Sequence, residues 1–166
     1  MTLSHLGPGG DARMVDVSGK EVTDRLARAE GAVRMSSAAF ELVRTNAVAK
    51  GDVLAVGRLA GIQAAKRTAE LIPLCHPLPL DQIEVELSLD PSLPGVRIAA
   101  QARTAAKTGV EMEALTAVAV ASLTIYDMVK SADRAMSIEA IRLTHKAGGR
   151  SGEYVAPDAG PLKEDR

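Results

Sequence analysis

Residues 114–125 constrain this chain more than any other segment, because they are Ala, Val, Leu and Ile almost all round. Thr116, Ser122 and Thr124 interrupt the segment, and it is too short to cross a bilayer. It predicts the middle of a long helix, 110–132, that is buried on every face. A sheet covers only one side of such a helix. In a chain of 166 residues a second subunit most simply covers the other side, and neighbouring helices of the same chain are the alternative.

The remaining pattern predicts a mixed fold. Apolar and polar residues alternate over 83–89, which is typical of a half-buried strand, and Pro91 and Pro94 then indicate a hairpin leading to a partner strand at 96–106. Further strands are predicted at 14–17, 31–35 and 138–144, and further helices at 36–46 and 52–72, the last ended by Pro73. Strands paired by a hairpin, with helices gathered on one face, indicate an α+β sandwich.

The two ends of the chain differ from its middle. The run Gly7-Pro8-Gly9-Gly10 cannot hold regular structure, and 156–166 is rich in Pro, Gly and charged residues. We expect flexible tails at 1–13 and 156–166 around a single domain, 14–155.

Composition excludes several classes of protein. The 20 Lys and Arg nearly balance the 21 Asp and Glu, and Phe40, Tyr126 and Tyr154 are the only aromatic residues. We therefore expect neither nucleic acid nor a membrane surface as partner. Cys75 is the single cysteine and the first residues lack the pattern of a signal peptide, so we expect a soluble, cytoplasmic protein.

Three prolines stiffen the segment 72–79 and hold His76 on a non-helical backbone. A rigid imidazole suits proton transfer or hydrogen bonding to a substrate, and a structural loop histidine is the alternative. Cys75 could act as a nucleophile, but no second His or Asp stands at a diagnostic spacing, so we expect it to pack or to lend a backbone group. His5, His76 and His145 are widely spaced, and the sequence predicts no metal site.

Charged residues mark both ends of the predicted central helix. Thr108 and Glu111 have the spacing of a capping box, which gives Glu111 a structural role. Glu113 has no such role, and we expect it to meet a cationic or hydrogen-bonding part of a ligand. At the other end, Asp127 and Lys130 form either an exposed ion pair or a couple that holds and moves a proton.

The spacing of these charges limits how one site could use them. Glu113 and Asp127 are 14 residues apart, which is about 21 Å of helix. If both serve the same chemistry, they should come from different subunits. Lys50 precedes a helix start, where its charge opposes the helix dipole. Lys146 and Arg150 flank a glycine pair, an arrangement that suits a polyphosphate, with solvated surface charge as the alternative.

Six segments of the chain are distinctive. They are MVDV (14–17), KGDV (50–53), AGIQAAKRT (60–68), LIPLCHPL (71–78), KTGVEMEALT (107–116) and TIYDM (124–128). Together they resemble the cyclic pyranopterin monophosphate synthase family, the molybdenum cofactor biosynthesis protein C family. The resemblance covers about residues 3–155.

The resemblance implies a ferredoxin-like α+β fold and a hexamer, a trimer of dimers, with the active site at a subunit interface. It implies a cytoplasmic lyase that converts a 3′,8-cyclic dihydro-GTP derivative into cyclic pyranopterin monophosphate and releases diphosphate, in molybdenum cofactor biosynthesis. No cofactor is implied as required, and magnesium accompanying the triphosphate is left open.

The resemblance also implies site residues. The family's catalytic positions fall on Asp127, Lys130 and Lys50. Its substrate-binding positions fall on Leu74, Cys75, His76, Met112 and Glu113, and further pocket positions match Glu111, Arg25 and Arg103. The family's usual KSGGKSG is KAGGRSG at 146–152. Because Arg and Lys are not interchangeable at a phosphate, we expect this segment, with Lys146, to bind an anion and not to catalyse.

Two functions of other classes compete with the enzyme. A ferredoxin-like regulatory domain would bind a nucleotide without turning it over. An interaction protein, whose apolar helix only builds an assembly, would bind no ligand. The residues alone leave the three nearly equal, and the family resemblance favours the enzyme.

Overall fold

The computed structural model describes residues 9–158. Its strands are β1 Thr23–Arg34, β2 Gln82–Asp90, β3 Gly95–Ala106, β4 Ser137–Ala147 and β5 Tyr154–Val155. Its helices are α1 Ser37–Arg44, α2 Val53–Lys66, α3 Thr68–Leu71 and α4 Glu111–Val129. The strands form one antiparallel sheet in the order β2-β3-β1-β4-β5. This confirms the predicted α+β architecture with a ferredoxin-like arrangement.

The hairpin of β2 and β3 forms where the alternation predicts it. The two strands pair from Gln82 opposite Arg103 to Asp90 opposite Gly95, and Val85 and Leu87 point into the core. At the turn, Asp90 Oδ1 accepts a hydrogen bond from the Ser92 backbone N–H at 2.9 Å. An aspartate that bonds its own backbone two residues on is a common way to fix a tight turn.

Helices α2 and α4 pack on one face of the sheet, and small residues let them approach closely. Gly57 and Gly61 of α2 lie one turn apart and face α4. A methyl group added at Gly61 would lie 2.9 Å from the Ala117 carbonyl oxygen, closer than real side chains come. On the sheet, Gly31 leaves the corresponding space for Val118 of α4.

Helix α4 is long and apolar enough to cross a membrane by length and composition, but it lies in the core of the fold. Ala117, Val118 and Ile125 are fully buried against the sheet and α2. Its outer face is covered less well, because Leu123 is 57% exposed. Val56 (41%) and Leu59 (64%) of α2 are exposed as well. The helical layer of a single chain therefore presents apolar side chains to solvent.

Two predicted elements are wrong. Residues 14–17 are not a strand, because the Val15 carbonyl bonds the His76 side chain instead of a neighbouring strand. The helix predicted over 52–72 ends at Lys66, and α3 follows after Arg67. The buried Thr68 hydroxyl donates to the Ala65 carbonyl at 2.9 Å, the local bonding by which Thr competes with helix continuation.

The predicted strand at 31–35 is the end of a much longer one, since β1 begins at Thr23. Of the predicted tails, residues 1–8 and 159–166 lie outside the described residues. Beyond the predicted domain end at 155, the buried Ala156 donates its N–H to the Thr144 carbonyl at 2.8 Å. Asp158 pairs with Arg142 at 2.6 Å, so contacts with the sheet continue to that residue.

Candidate active site

A cleft of about 790 Å³ opens where β1, β3 and β4 meet the start of α4. Its basic lining residues are Lys20, Arg25, Lys107, Lys146 and Arg150, and its acidic ones are Glu21 and Glu111. Five cationic groups against two carboxylates give the cleft a clear positive excess in a chain whose net charge is −1. Such a concentration of positive charge favours a polyanionic ligand.

The loop after β4 forms one wall of this cleft and depends on its glycines. Gly148 and Gly149 have φ of +98° and +74°, which side chains disfavour. A methyl group at Gly148 would overlap the Asp24 carbonyl oxygen, and one at Gly149 would overlap the guanidinium of Arg25. The loop thus lies directly on Arg25, whose Nε also donates to the Ala106 carbonyl at 3.2 Å.

The capping box predicted from Thr108 and Glu111 does not form. Helix α4 begins after Val110, which has no side-chain capping bond, so Thr108 stands too early to cap it. The Glu111 carboxylate instead lies 3.3 Å from Lys146 Nζ, and Lys146 also donates to Ser151 Oγ at 2.8 Å. Glu111 is therefore a cleft residue that ties α4 to the glycine-rich loop.

Glu113 is a buried carboxyl, only 4% exposed, in the first turns of α4. Burial raises the pKa of Glu113 to about 7, and the nearby charge of Glu111 acts in the same direction. Glu113 also lines a second cavity of about 290 Å³ with Lys66, Arg67 and Pro79. At neutral pH this carboxyl can both accept and donate hydrogen bonds.

The segment with Leu74, Cys75 and His76 follows α3 and is half-buried, as is Met112 in the first turn of α4. Burial raises the pKa of the Cys75 thiol, and the negative charge of Glu113 raises it further. A protonated thiol is a poor nucleophile, which favours the expectation that Cys75 packs or lends a backbone group.

At the opposite end of α4, two lysines donate hydrogen bonds to the Asp127 carboxylate. Lys130 Nζ donates to Asp127 Oδ1 at 2.6 Å, and Lys50 Nζ donates to Oδ2 at 2.7 Å and to the Asp127 carbonyl at 2.8 Å. Hydrogen bonds from Lys130 and then Lys50 lower the pKa of Asp127 to about 2. All three side chains are about half exposed, so the cluster presents charge at the surface of the chain.

One chain does not bring all predicted site residues together. Lys50, Asp127 and Lys130 are not among the residues that line the cleft, and about 21 Å of helix separates Asp127 from Glu113. Arg103 also stands apart: it lies opposite Leu26, whereas Arg25 lies opposite Thr104, so the two arginines point to opposite faces of the sheet.

Sequence reasoning missed two cationic residues of the cleft, Lys20 and Lys107. Lys107 stands in the distinctive segment 107–116, but no local pattern there indicates a role for it. Lys20 carries no local signal and reaches the cleft because the segment before β1 passes across it. Within residues 9–158, no group of three or more His, Cys, Asp or Glu side chains could hold a metal ion.

Comparison with known proteins matches this chain to the MoaC family over residues 14–149. The cyclic pyranopterin monophosphate synthase of Methylobacterium sp. (strain 4-46) is 60% identical over 158 residues, 95% of this chain and 99% of that one. The enzyme of the same name from Dinoroseobacter shibae is 59% identical over 93% of this chain and 98% of its own length. That from Nostoc sp. is 57% identical, covering 93% and 92% respectively. The chain belongs to the MoaC family.

Proposed function

We propose that this chain is a cyclic pyranopterin monophosphate synthase, a lyase of molybdenum cofactor biosynthesis. Its substrate is (8S)-3′,8-cyclo-7,8-dihydroguanosine 5′-triphosphate, and its products are cyclic pyranopterin monophosphate and diphosphate. The near full-length match to three relatives of that name supports this assignment. The observation that carries it is the cationic cleft, because a triphosphate is the part of this substrate that needs concentrated positive charge.

The cleft accounts for the release of diphosphate. Formation of the cyclic phosphate joins a ribose-derived oxygen to the α-phosphorus and breaks that atom's bond to the diphosphate. Negative charge then develops on the departing group. Lys20, Arg25, Lys107, Lys146 and Arg150 line the space where such charge would be neutralised.

The cavity that Glu113 lines is our candidate site for the guanine-derived ring. Glu113 is buried and can accept hydrogen bonds from ring N–H groups as a carboxylate, or donate one when protonated. His76 has a rigidly held imidazole, and Leu74, Cys75 and Met112 are half-buried. In the sequence these four residues adjoin Pro77 and Glu113, which line the cavity. These residues bind and orient the ring in our proposal.

The Lys50–Asp127–Lys130 cluster supplies proton transfer and charge stabilisation. Because its pKa is about 2, Asp127 stays a carboxylate at neutral pH and orients both ammonium groups. The ammonium groups are the proton donors of the cluster, and Asp127 holds them in place. No cofactor is required in this proposal, and magnesium can accompany the triphosphate of the substrate.

The chain acts as an oligomer, a hexamer built as a trimer of dimers, in the cytoplasm. The outer face of α2 and α4 supports this, because Val56, Leu59 and Leu123 leave apolar surface exposed on a single chain. A second copy would cover this face and bring its Lys50–Asp127–Lys130 cluster to the cleft and ring pocket of the first. Arg103 lies on the sheet face away from these helices, so in our proposal it joins the site across a different subunit contact.

Incubation of the purified protein with the cyclic dihydro-GTP substrate tests the proposal. Diphosphate and the pyranopterin product should appear together, and a parallel reaction with EDTA measures whether magnesium accompanies the triphosphate. Binding without turnover would favour the regulatory domain, and absence of binding would favour the interaction protein. Either result contradicts the proposed enzyme.

A further inference from the structure

The segment 14–20, here called the strap, crosses the molecule between two residues of the site. It has no regular secondary structure, yet two of its carbonyl groups bond functional side chains. The Val15 carbonyl lies 2.8 Å from His76 Nε2, and the Ser18 carbonyl accepts from Lys107 Nζ at 2.8 Å. The strap therefore holds a ring-binding residue and a cleft lysine at once.

The contact with Val15 fixes the chemistry of the imidazole. A carbonyl oxygen can only accept, so His76 Nε2 must carry a proton to make this bond. In the neutral ring Nδ1 is then the lone-pair atom, because one ring nitrogen donates and the other accepts. The strap thus selects one of the two neutral tautomers and limits rotation of the ring.

Asp16 holds the strap in the shape that makes both contacts. Its Oδ1 accepts a hydrogen bond from the Ser18 N–H at 2.8 Å. The next turn overlaps this one, and in it the Lys20 N–H donates to the Val17 carbonyl at 3.0 Å. The hydrogen bonds from Ser18 lower the pKa of Asp16, and the charge of Lys107 lowers it further. Along the chain, Asp16 lies between the residues that supply the two carbonyl groups, one residue after Val15 and two before Ser18.

We propose that Asp16 is a positioning residue of the active site, which acts through the Val15 carbonyl to hold His76 in its Nε2–H tautomer. The inference rests on the proposed function in one respect, the role of His76 in binding the substrate ring. The tautomer itself is a property of the free protein. It can therefore be measured without any substrate.

The direct test is a two-bond ¹H–¹⁵N correlation spectrum of the full chain labelled with ¹⁵N-histidine, at a pH where His76 is neutral. The wild type should show a protonated Nε2 and a lone-pair Nδ1 for His76, assigned by its loss in His76→Gln. Asp16→Ala should give a mixture of tautomers. Asp16→Asn keeps an oxygen acceptor for Ser18 and should restore the wild-type pattern.

Asp90→Ala is the matched control, because Asp90 makes the same bond to a backbone N–H two residues on, in the β2–β3 hairpin. It should leave the His76 signals unchanged. Lys107→Met, which removes the second anchor of the strap, should shift them as Asp16→Ala does. The other tautomer in the wild type, or wild-type signals in Asp16→Ala and Lys107→Met, would overturn the inference.

Turnover gives a second readout. Asp16→Ala should lower kcat/KM about tenfold, less than the roughly hundredfold that a 1 Å misplacement of a positioning group can cost. Asp16→Asn and Asp90→Ala should remain within about twofold of the wild type on the same basis. If the wild type turns over no substrate, the proposed function fails while the spectra still decide the role of Asp16.

Discussion

At the scale of single residues, burial and pairing give the site's two principal carboxyl groups opposite properties. Glu113 is enclosed at one end of α4, and its pKa rises to about 7. Asp127 is exposed between two lysines at the other end, and its pKa falls to about 2. The first can exchange a proton near neutral pH, and the second is a fixed negative charge.

The raised pKa of Glu113 makes the stability of the protein depend on pH. Between about pH 4.5 and 7 the folded state holds a proton that the unfolded state has lost. The stabilising contribution is therefore complete below the unfolded pKa and is lost as pH rises through the folded one. Glu113→Gln should remove this loss, which is on the order of 2–3 kcal/mol for a shift of this size.

Urea unfolding of wild type and Glu113→Gln at pH 5 and pH 8 measures this effect. The variant should gain stability relative to the wild type at pH 8. Glu84→Gln, on the exposed face of β2, should show no such difference. An equal effect of Glu113→Gln at both pH values would contradict the raised pKa.

Replacing Asp127 with Asn removes the charge that orients Lys50 and Lys130. We expect kcat to fall at least about a hundredfold, because neither proton-donating ammonium group is then held in place, with the oligomer unchanged in size. Glu41→Gln is the control, because Glu41 pairs with Arg44 three residues on at similar exposure. A fully active Asp127→Asn enzyme, measured by diphosphate release, would show that the cluster is not catalytic.

Local spacing predicted these residues only in part. The pairing of Asp127 with Lys130 follows from helical periodicity and is present. Lys50 joins them from 77 residues away, which no local pattern encodes. The capping box was wrong because Gly109 and Val110 delay the helix, and Glu111 is drawn toward Lys146.

At the scale of elements, the contact of α2 with α4 depends on space left by glycine. Gly61→Ala places a methyl group 2.9 Å from the Ala117 carbonyl oxygen, and a backbone atom cannot easily move aside. Overpacking of this kind costs about 1–3 kcal/mol. Gln63→Ala, at an exposed position of α2, should change stability by less than about 0.5 kcal/mol.

Chemical denaturation at one pH measures the free energy of unfolding of the wild type, Gly61→Ala and Gln63→Ala. Because alanine is intrinsically the better helix former, an isolated helix would be stabilised by Gly61→Ala. A more stable Gly61→Ala protein would therefore show that the two helices are not in close contact.

Elements with a strong repeating pattern were predictable, and others were decided by their neighbours. The alternation over 83–89 predicted β2 because one face of that strand is buried. The first eight of the twelve residues of β1, TDRLARAE, are rich in helix formers and carry no strand signal. It becomes the central strand because β3 and β4 pair with it on both sides, and that information lies far away in the chain.

At the scale of the whole molecule, the outer face of α2 and α4 explains why a single chain is incomplete. Leu59→Arg places a charge at the most exposed of the three apolar side chains of this face. The oligomer should dissociate into smaller species, because a buried unpaired charge costs more than the contact provides. Turnover should be lost with it.

Light scattering coupled to size-exclusion chromatography gives the mass of each species. Leu42→Arg, at an exposed leucine of α1, should leave the mass unchanged. An assembly of wild-type mass in Leu59→Arg would place the subunit contact elsewhere.

The central claim is that the two ends of α4 act together only across two copies of the chain. Mixing of two inactive variants tests it most directly. His76→Ala and Asp127→Asn subunits, each expected to be inactive alone, are coexpressed with different tags. The turnover of the assemblies that contain both variants is then measured. If each site takes its cleft from one chain and its Lys50–Asp127–Lys130 cluster from the other, a mixed dimer has one intact site. Random pairing should then restore about a quarter of the wild-type activity. Mixed assemblies that form and remain inactive would contradict the claim.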